Sequence, residues 1–125
     1  MQGAGDILIV DDETNILELV AEILEDEGYI VRTVSSGPAA LAAIAAQCPA
    51  LVLMDMYMPR MNGMMLLEHL AQQGISGLPI VLMTASPSAA EQVLSQKNVD
   101  YLPKPFDIDQ LLTVVARYAS LPGTS

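Results

Sequence analysis

The sequence is poor in cysteine, in basic residues and in long apolar runs. Its single cysteine, Cys48, rules out an internal disulfide bond and a metal site built from several cysteines. No apolar run reaches the ~20 residues that a helix needs to cross a bilayer. Residues 1–5 contain no basic stretch followed by an apolar one, so we expect neither a signal peptide nor a membrane span. The simplest interpretation is a cytoplasmic protein.

Basic residues are scarce: five lysines and arginines stand against fifteen aspartates and glutamates, which gives a formal net charge of −10. Such a surface repels nucleic acid and anionic lipid. We therefore expect no direct contact with nucleic acid and none with a membrane. If the protein acts on DNA, another domain or a partner must make that contact.

The length and the apolar content fit one compact domain. A chain of 125 residues leaves little room for a second domain, and 52% apolar residues are enough to fill a core. Short apolar runs alternate with stretches of helical period. The runs that we predict as strands cover residues 7–10, 29–34, 51–54, 80–83 and 101–102. Helices are predicted after Asp12 up to Gly28, over 39–46, around 67–71, over about 87–96, and along a last stripe of Ile108, Leu111, Leu112, Val115, Ala116 and Ala119.

This alternation indicates five βα units. Strands that are apolar on both faces and are joined by helices form a parallel sheet that is covered on two sides. Right-handed crossovers then limit the topology to a doubly wound sheet. We therefore predict the α/β fold class, with helices on both faces of one parallel sheet.

Polar residues stand where most of these strands end. Asp11 and Asp12 follow the first strand, Asp55 the third and Thr84 the fourth, and Lys104 comes shortly after the fifth. In an open α/β sheet, ligands bind beyond the carboxyl ends of the strands. These five side chains are therefore expected to meet at one edge of the sheet. The second strand is followed by two serines, which indicates that it lies at the margin.

The residue types at this edge suit phosphoryl chemistry. Three carboxylates close together repel one another unless a cation offsets their charge. Mg²⁺ prefers oxygen ligands, and Lys104 adds a fixed positive charge. Asp55 can then hold a dianionic phosphoryl group, with hydrogen bonds from Thr84 and from the backbone N–H groups after Asp55 and Thr84. The expected chemistry is nucleophilic catalysis by the Asp55 carboxylate, which gives a phosphoaspartate.

Each of these residues also has an ordinary structural explanation. An aspartate pair after a strand often caps a helix, and an aspartate before a proline-containing loop often serves a turn. A lone threonine is often a cap, and a lone lysine is usually exposed. The functional interpretation depends on the five residues together, each at the end of a strand.

Four sequence motifs carry a resemblance to a known family. They are ILIVDDE (7–13), LVLMDMYMPRMNG (51–63), IVLMTA (80–85) and DYLPKPF (100–106). With all four in this order, the chain resembles the receiver domains of bacterial response regulators in two-component signal transduction. The resemblance implies one receiver domain over residues 1–125, with its core at about 6–119. It also implies a flavodoxin-like (βα)5 fold, with a five-stranded parallel sheet of order 2-1-3-4-5.

The resemblance further implies a phosphorylation site with its metal. Asp55 would accept a phosphoryl group from a sensor histidine kinase or a phosphotransfer protein. Asp12 and Asp55 would bind Mg²⁺ directly, together with the backbone carbonyl of Tyr57. Asp11 would act mainly through a metal-bound water molecule.

The remaining implied roles concern the response to phosphorylation. Thr84 and Lys104 would contact the phosphoryl group, and Tyr101 would turn inward as a switch residue when Thr84 is drawn to the phosphate. The Lys104–Pro105 peptide bond would be cis. These movements would reshape the surface of the predicted fourth helix, the fifth strand and the last helix, to which an output domain, an output protein or a second copy of the chain binds. The protein would be a switch rather than an enzyme, catalysing only its own phosphorylation and slow self-dephosphorylation.

Two alternatives stay open. A haloacid-dehalogenase-like phosphatase also uses an aspartate nucleophile and Mg²⁺, but it usually has a second aspartate two positions later, where this chain has Tyr57. A pseudo-receiver would bind partners without phosphorylation, and the complete set of five site residues argues against it. Tyr57 and Ser86 depart from the common receiver pattern and flank the path of attacking water. We expect bulky Tyr57 to lengthen the phosphorylated lifetime.

Overall fold

A computed structural model describes residues 6–58, 61–75, 77–86, 88, 91 and 99–119. In this part of the chain, one parallel sheet has the strand order β2-β1-β3-β4-β5. The strands are β1 (Ile7–Val10), β2 (Val31–Val34), β3 (Leu51–Asp55), β4 (Ile80–Thr84) and β5 (Val99–Pro103). The predicted parallel sheet and its order are confirmed, with β2 at one margin.

Helices cover both faces of this sheet, as the sequence predicts. They are α1 (Thr14–Asp26), α2 (Gly37–Ala46), α3 (Gly63–Gln72) and α4 (Ile108–Tyr118). Successive side chains of a strand point to opposite faces. Leu8 and Val10 therefore join the core under α2 and α3, whereas Ile7 and Ile9 join the core under α1 and α4. Every residue of β1, β3 and β4 is buried, which explains their unbroken apolar runs.

The register brings the carboxyl ends of the strands to one level. Val10 of β1 stands beside Met54 of β3, and Asp55 stands beside Met83 of β4. Thr84 in turn pairs with Pro103 of β5. The residues that follow these strands therefore emerge side by side, which positions the candidate site.

Side-chain caps set where three helices begin. The Ser36 hydroxyl accepts a hydrogen bond from the N–H of Ala39 at 3.1 Å, at the start of α2. Asn62 accepts from Met65 at the start of α3, and Asp107 begins α4 with a reciprocal capping box. At the other end of α1, Gly28 adopts a φ of 104°, which terminates that helix where the sequence predicts it.

The stripe that α4 buries differs from the predicted one. Its buried residues are Leu111, Val114 and Val115, whereas Ile108 is 54% exposed and Ala116 is also exposed. Each helical residue turns the side-chain direction by about 100°, so two overlapping apolar stripes on one helix differ only in rotation. Packing against the sheet selects the stripe through Val114.

Four strands have bounds that differ from the prediction; β3 and β4 each run one residue further, to Asp55 and Thr84. β2 starts at Val31 rather than at residue 29, and β5 runs from Val99 to Pro103 rather than over two residues. Parallel pairing with β1 and β4 sets these bounds. The predicted helix over about 87–96 lies largely outside the described residues. Among the described helices, none is long and apolar enough to cross a membrane.

Arg32 ties the opposite, amino-terminal edge of the sheet together. Its guanidinium forms an ion pair with buried Asp6, which precedes β1. It also donates hydrogen bonds to the carbonyl oxygens of Ala43 at 3.1 Å and Gln47 at 2.6 Å, at the end of α2. A cation at a helix C-terminus satisfies carbonyls that the helix leaves unpaired.

Candidate functional site

The candidate site lies at the carboxyl edge of the sheet. Asp11 follows β1, Asp55 is the last residue of β3, Thr84 is the last residue of β4, and Lys104 follows β5. The aligned strand ends bring all four residues to the same edge, and Asp12 lies beside Asp11. The sequence predicted this convergence.

Three carboxylates form the acidic part of the site. Asp11, Asp12 and Asp55 each offer one carboxylate oxygen, and these oxygens all lie within 4.8 Å of one another. Asp11 is fully buried and Asp55 is 8% exposed, whereas Asp12 faces solvent. Like charges at this separation repel, and the repulsion is stronger where water is excluded.

Asp11 shows the electrostatic strain of the cluster. Burial raises the pKa of its carboxyl above the usual value, and the charge of Asp55 raises it further. A hydrogen bond from the N–H of Glu13 to Asp11 Oδ1, at 2.9 Å, opposes this effect on the pKa, as does the charge of Lys104. Asp11 Oδ2 is buried without a hydrogen-bond partner among the described residues. This oxygen is therefore a ready acceptor for a cation or for a water molecule.

Lys104 supplies the positive charge. Its Nζ lies 3.1 Å from Asp55 Oδ1 and 3.9 Å from Asp11 Oδ2. The backbone N–H of Lys104 donates to the Thr84 carbonyl at 2.9 Å, which fixes the start of the side chain against β4. The Lys104–Pro105 peptide bond is cis, as the resemblance implied.

Thr84 is 2% exposed, and its backbone lies next to that of Lys104. Its hydroxyl oxygen accepts a hydrogen bond from the N–H of Ser86 at 3.0 Å. Because the oxygen acts as acceptor in that bond, the hydroxyl hydrogen keeps its capacity to donate. Thr84 thus has the chemistry for the predicted hydrogen bond to an anionic group.

One expected donor is already used inside the sheet. The N–H of Met56, directly after Asp55, donates to the Met83 carbonyl at 2.9 Å. The prediction that the N–H groups after Asp55 serve a ligand is therefore wrong for Met56, because its N–H extends the β3–β4 pairing. The next residue, Tyr57, has a side chain that is 58% exposed.

Tyr101 lies beside the carboxylate cluster rather than in it. It stands opposite Leu82 on β4, two residues before the level of Thr84, and its side chain is partly buried. Tyr101 borders a cavity of about 330 Å³ between β5 and α4. Its N–H donates to the neighbouring Asp100 carboxylate, whose other oxygen accepts from the Tyr118 hydroxyl at 2.9 Å. The inward turn of Tyr101 on phosphorylation stays a prediction.

The acidic cluster fits a hard divalent cation. Three carboxylate oxygens close together match the oxygen ligands that Mg²⁺ and Ca²⁺ take, and Asp11 Oδ2 is buried without a hydrogen bond from the described residues. Mg²⁺ usually uses one or two carboxylates and keeps several water molecules. The partly exposed position of the cluster leaves room for such water.

An exposed apolar strip beside the site was missed in the sequence. Leu19 is 52% exposed, and it borders a cavity of about 380 Å³ together with Phe106 and Pro105. Lys104 lines the same cavity. Leu19 and Phe106 also line a second cavity with Ile108, which is 54% exposed. We call Leu19, Phe106, Pro105 and Ile108 the apolar strip. The sequence could have indicated that Leu19 is exposed, because this apolar residue lies outside the stripe that α1 buries.

Comparisons with known proteins agree with this geometry. A family model described as the response regulator receiver domain matches residues 7–116. The nitrogen assimilation regulatory protein NtrX of Azorhizobium caulinodans is 39% identical over 118 residues, which cover 91% of this chain and 26% of that protein. The regulator NtrC of Salmonella typhimurium is 37% identical over 118 residues, covering 93% of this chain and 25% of that protein. The chain spans about a quarter of the length of these two curated relatives.

Solved structures give the same result. The receiver domain of NtrX from Brucella abortus superposes with a TM-score of 0.82 at 38% identity, covering 90% of this chain and 97% of that one. Chemotaxis protein CheY4 of Vibrio cholerae gives a TM-score of 0.83 at 28% identity, covering 93% and 99%. The matched residues contain the whole carboxyl edge of the sheet, from Asp11 to Lys104. The chain therefore belongs to the response regulator receiver domain family, whose members are phosphoacceptor switches of two-component systems.

Proposed function

We propose that this chain accepts a phosphoryl group on Asp55 from a sensor histidine kinase or a phosphotransfer protein. The observation that carries the proposal is the surroundings of the Asp55 carboxylate: the Lys104 ammonium lies 3.1 Å away, and Asp11 and Asp12 offer carboxylate oxygens within 4.8 Å. A nucleophilic carboxylate needs its negative charge balanced when an anionic phosphoryl group approaches. Lys104 supplies part of that balance directly, and a cation held by the three carboxylates would supply the rest.

In the proposed transfer, a carboxylate oxygen of Asp55 attacks the phosphorus of a phosphohistidine. The new P–O bond forms as the P–N bond breaks, and the released imidazole takes up a proton. Lys104 neutralises part of the charge on the phosphoryl oxygens, and Thr84 donates a hydrogen bond to one of them. Asp12, Asp55 and the Tyr57 carbonyl would hold Mg²⁺, with Asp11 acting through water. The bound metal would offset the charge of the carboxylates and of the incoming phosphoryl group.

The proposed response is a change in the surface beside β5. The phosphoryl group adds about −1.5 to −2 charges to the site. It draws Thr84 toward it, and Tyr101 moves into the vacated space. The surface of β5, α4 and the predicted helix at 87–96 then changes its affinity for a partner. This surface acts as a two-state element whose equilibrium is shifted by the local charge.

The phosphoryl donor is proposed to dock on the apolar strip. Exposed Leu19 and Ile108 lie on α1 and α4, and the strip ends at Lys104, next to the acceptor. A donor protein must bring its histidine to Asp55, so its surface has to cover what surrounds Asp55. Burying apolar side chains contributes about 25 cal/mol per Å², so a helix with an apolar face is the suitable donor element.

The proposed domain comprises residues 1–125, with its core at about 6–119, and its output belongs to another domain or protein. The two curated relatives, NtrX of Azorhizobium caulinodans and NtrC of Salmonella typhimurium, are about four times as long as the matched region, and NtrC carries the description DNA-binding transcriptional regulator. The net charge of −10 makes this domain unsuited to DNA contact. A phosphorylation-dependent homodimer through the predicted helix at 87–96, β5 and α4 would be one form of output.

Labelling with acetyl phosphate in the presence of Mg²⁺ tests the assignment of Asp55. Intact-protein mass spectrometry should find one phosphoryl group on the wild type and on the control Asp26→Asn, and none on Asp55→Asn. Equal labelling of Asp55→Asn would refute the assignment. Continuous hydrolysis of para-nitrophenyl phosphate would instead favour a phosphatase, and a wild type that takes no label would favour a pseudo-receiver.

A further inference from the structure

Gly37, the first residue of α2, lies directly against Met61, which precedes α3. A Cβ atom added at Gly37 would fall 2.5 Å from the Cβ of Met61, 2.6 Å from its Sδ and 2.7 Å from its Cγ. Met61 is itself buried, with 7% of its surface exposed. Because Cβ is attached to the backbone, rotation of the Met61 side chain cannot relieve this contact. A larger residue at position 37 must therefore displace the backbone of one of the two segments.

The segment that contains Met61 is held at both ends. The N–H of Met56 donates to the Met83 carbonyl at 2.9 Å, and the N–H of Gly63 donates to the Met56 carbonyl at 2.9 Å. Met56, directly after Asp55, is thus tied to the sheet, and Gly63, two residues after Met61, is tied to Met56. The contact partner of Gly37 is therefore linked through Gly63 to the residue next to the acceptor.

We propose that Gly37 is a positioning residue for the Asp55 site. Because Gly37 has no side chain, Met61 can pack against the start of α2. This contact fixes the position of the backbone after Asp55, including the carbonyl of Tyr57. The inference rests on the proposed function, in which that carbonyl is a ligand of Mg²⁺. Residues that orient metal ligands from outside the ligand set typically change metal affinity by 10-fold to 100-fold when they are replaced.

Gly37→Ala is a clean probe of this contact. Gly37 does not adopt a positive φ, so alanine introduces no backbone strain and acts only through the new methyl group. Isothermal titration calorimetry with Mg²⁺ should find binding to Gly37→Ala weakened by roughly tenfold. Ile44→Val provides the control, because Ile44 is buried in α2 two turns further along and its truncation lowers stability without crowding Met61. Its Mg²⁺ affinity should match that of the wild type.

A double-mutant cycle identifies Met61 as the mediator. Met61→Gly removes all three atoms that the new methyl group would meet, so adding Gly37→Ala in that background should leave Mg²⁺ affinity unchanged. If Gly37→Ala does not fold, Met61→Ala is tested instead. This variant removes Cγ and Sδ of Met61, two of the atoms that lie against Gly37, and should also weaken Mg²⁺ binding.

The outcomes separate this inference from the proposed function. A wild type that neither binds Mg²⁺ nor takes label from acetyl phosphate refutes the proposed function. A wild type that does both, while folded Gly37→Ala or Met61→Ala binds Mg²⁺ as tightly, overturns the role of Gly37 alone. A tenfold penalty that persists in the Met61→Gly background would also overturn it, because the effect would then bypass Met61.

Discussion

Lys104 Nζ lies 3.1 Å from Asp55 Oδ1, although the two residues are 49 positions apart and come from strands that are not neighbours in the sheet. β4 lies between β3 and β5, so the lysine side chain reaches past the end of β4, where Thr84 stands. The ammonium group thereby balances Asp55 directly. It also lies close to the carboxylates that a metal ion would use.

This pairing predicts two opposite effects for Lys104→Met. Without Mg²⁺, the free energy of unfolding should fall by about 1 kcal/mol, since a charged hydrogen bond is worth about 1.5–3 kcal/mol and this lysine is partly exposed. Mg²⁺ should bind more tightly, because a competing cation has been removed. Urea unfolding and calorimetry measure the two effects. Lys104→Arg, which keeps the charge, is the control, and unchanged Mg²⁺ affinity in Lys104→Met would contradict the prediction.

Asp11→Asn should stabilise the metal-free protein by about 1 kcal/mol at neutral pH. The folded state raises the pKa of Asp11, so the carboxyl lowers stability progressively as the pH rises from its usual pKa to the raised pKa, and the full loss is present above the raised pKa. Asparagine keeps an oxygen that can accept the hydrogen bond from the N–H of Glu13. Saturating Mg²⁺ should reverse the order of stability, because the wild type gains more from the metal.

Urea unfolding with EDTA and with Mg²⁺ measures this reversal. Asp12→Asn is the matched control, since Asp12 is exposed: it should lose the Mg²⁺ effect without gaining stability in EDTA. A metal-free Asp11→Asn that is less stable than the wild type would show that the buried carboxylate stabilises the apo fold.

Leu19→Ala should slow phosphoryl transfer from a histidine kinase while labelling by acetyl phosphate stays unchanged. Truncation of a residue that anchors an interface costs more than about 1 kcal/mol; with Leu19 as an anchor of the donor interface, the transfer rate constant at subsaturating protein should fall by roughly tenfold. Ile30→Ala is the control, since Ile30 is 55% exposed but lies at the start of β2, at the amino edge of the sheet. Transfer is measured from a panel of phosphorylated kinases; an equal effect of the two variants would reject docking on the apolar strip.

Tyr57→Asn should shorten the lifetime of the phosphorylated protein. The bulky Tyr57 side chain stands two positions after Asp55, and a smaller polar residue there gives water easier access to the phosphoryl group. Decay of the isotope-labelled protein measures the lifetime, and a change of roughly tenfold corresponds to about 1.4 kcal/mol in the barrier. Tyr57→Phe keeps the bulk and should decay like the wild type. Unchanged or slower decay in Tyr57→Asn contradicts the prediction.

Much of the site was predictable because it follows from the ends of buried strands. Each central strand is an unbroken apolar run, so the first polar residue after it marks the edge of the sheet. Asp11, Asp55 and Thr84 could be identified in this way. Lys104 could be identified because it follows the last predicted strand by two residues. The register could not be predicted, yet parallel pairing leaves the strand ends at nearly one level.

Contacts between separate elements were beyond the sequence pattern. The ion pair of Arg32 with Asp6 and the approach of Gly37 to Met61 join residues that no local period relates. The rotation of α4 is a similar case. Its sequence contains two overlapping apolar stripes, and packing against the sheet buries the one through Val114 and leaves Ile108 exposed.

By itself, the sequence determined the parallel sheet, its helices on both faces and the polar residues at its carboxyl edge, because burial on two faces imposes a readable apolar pattern. The tertiary structure alone decided the partners of those polar groups: the 3.1 Å pairing of Lys104 with Asp55, the buried Asp11 Oδ2 that accepts no hydrogen bond from the described residues, and the use of the Met56 N–H inside the sheet. The physical reason is that a difference of a few tenths of an ångström in the distance between two polar atoms decides whether a hydrogen bond or an ion pair forms. Hydrophobic burial is non-directional and tolerates such differences.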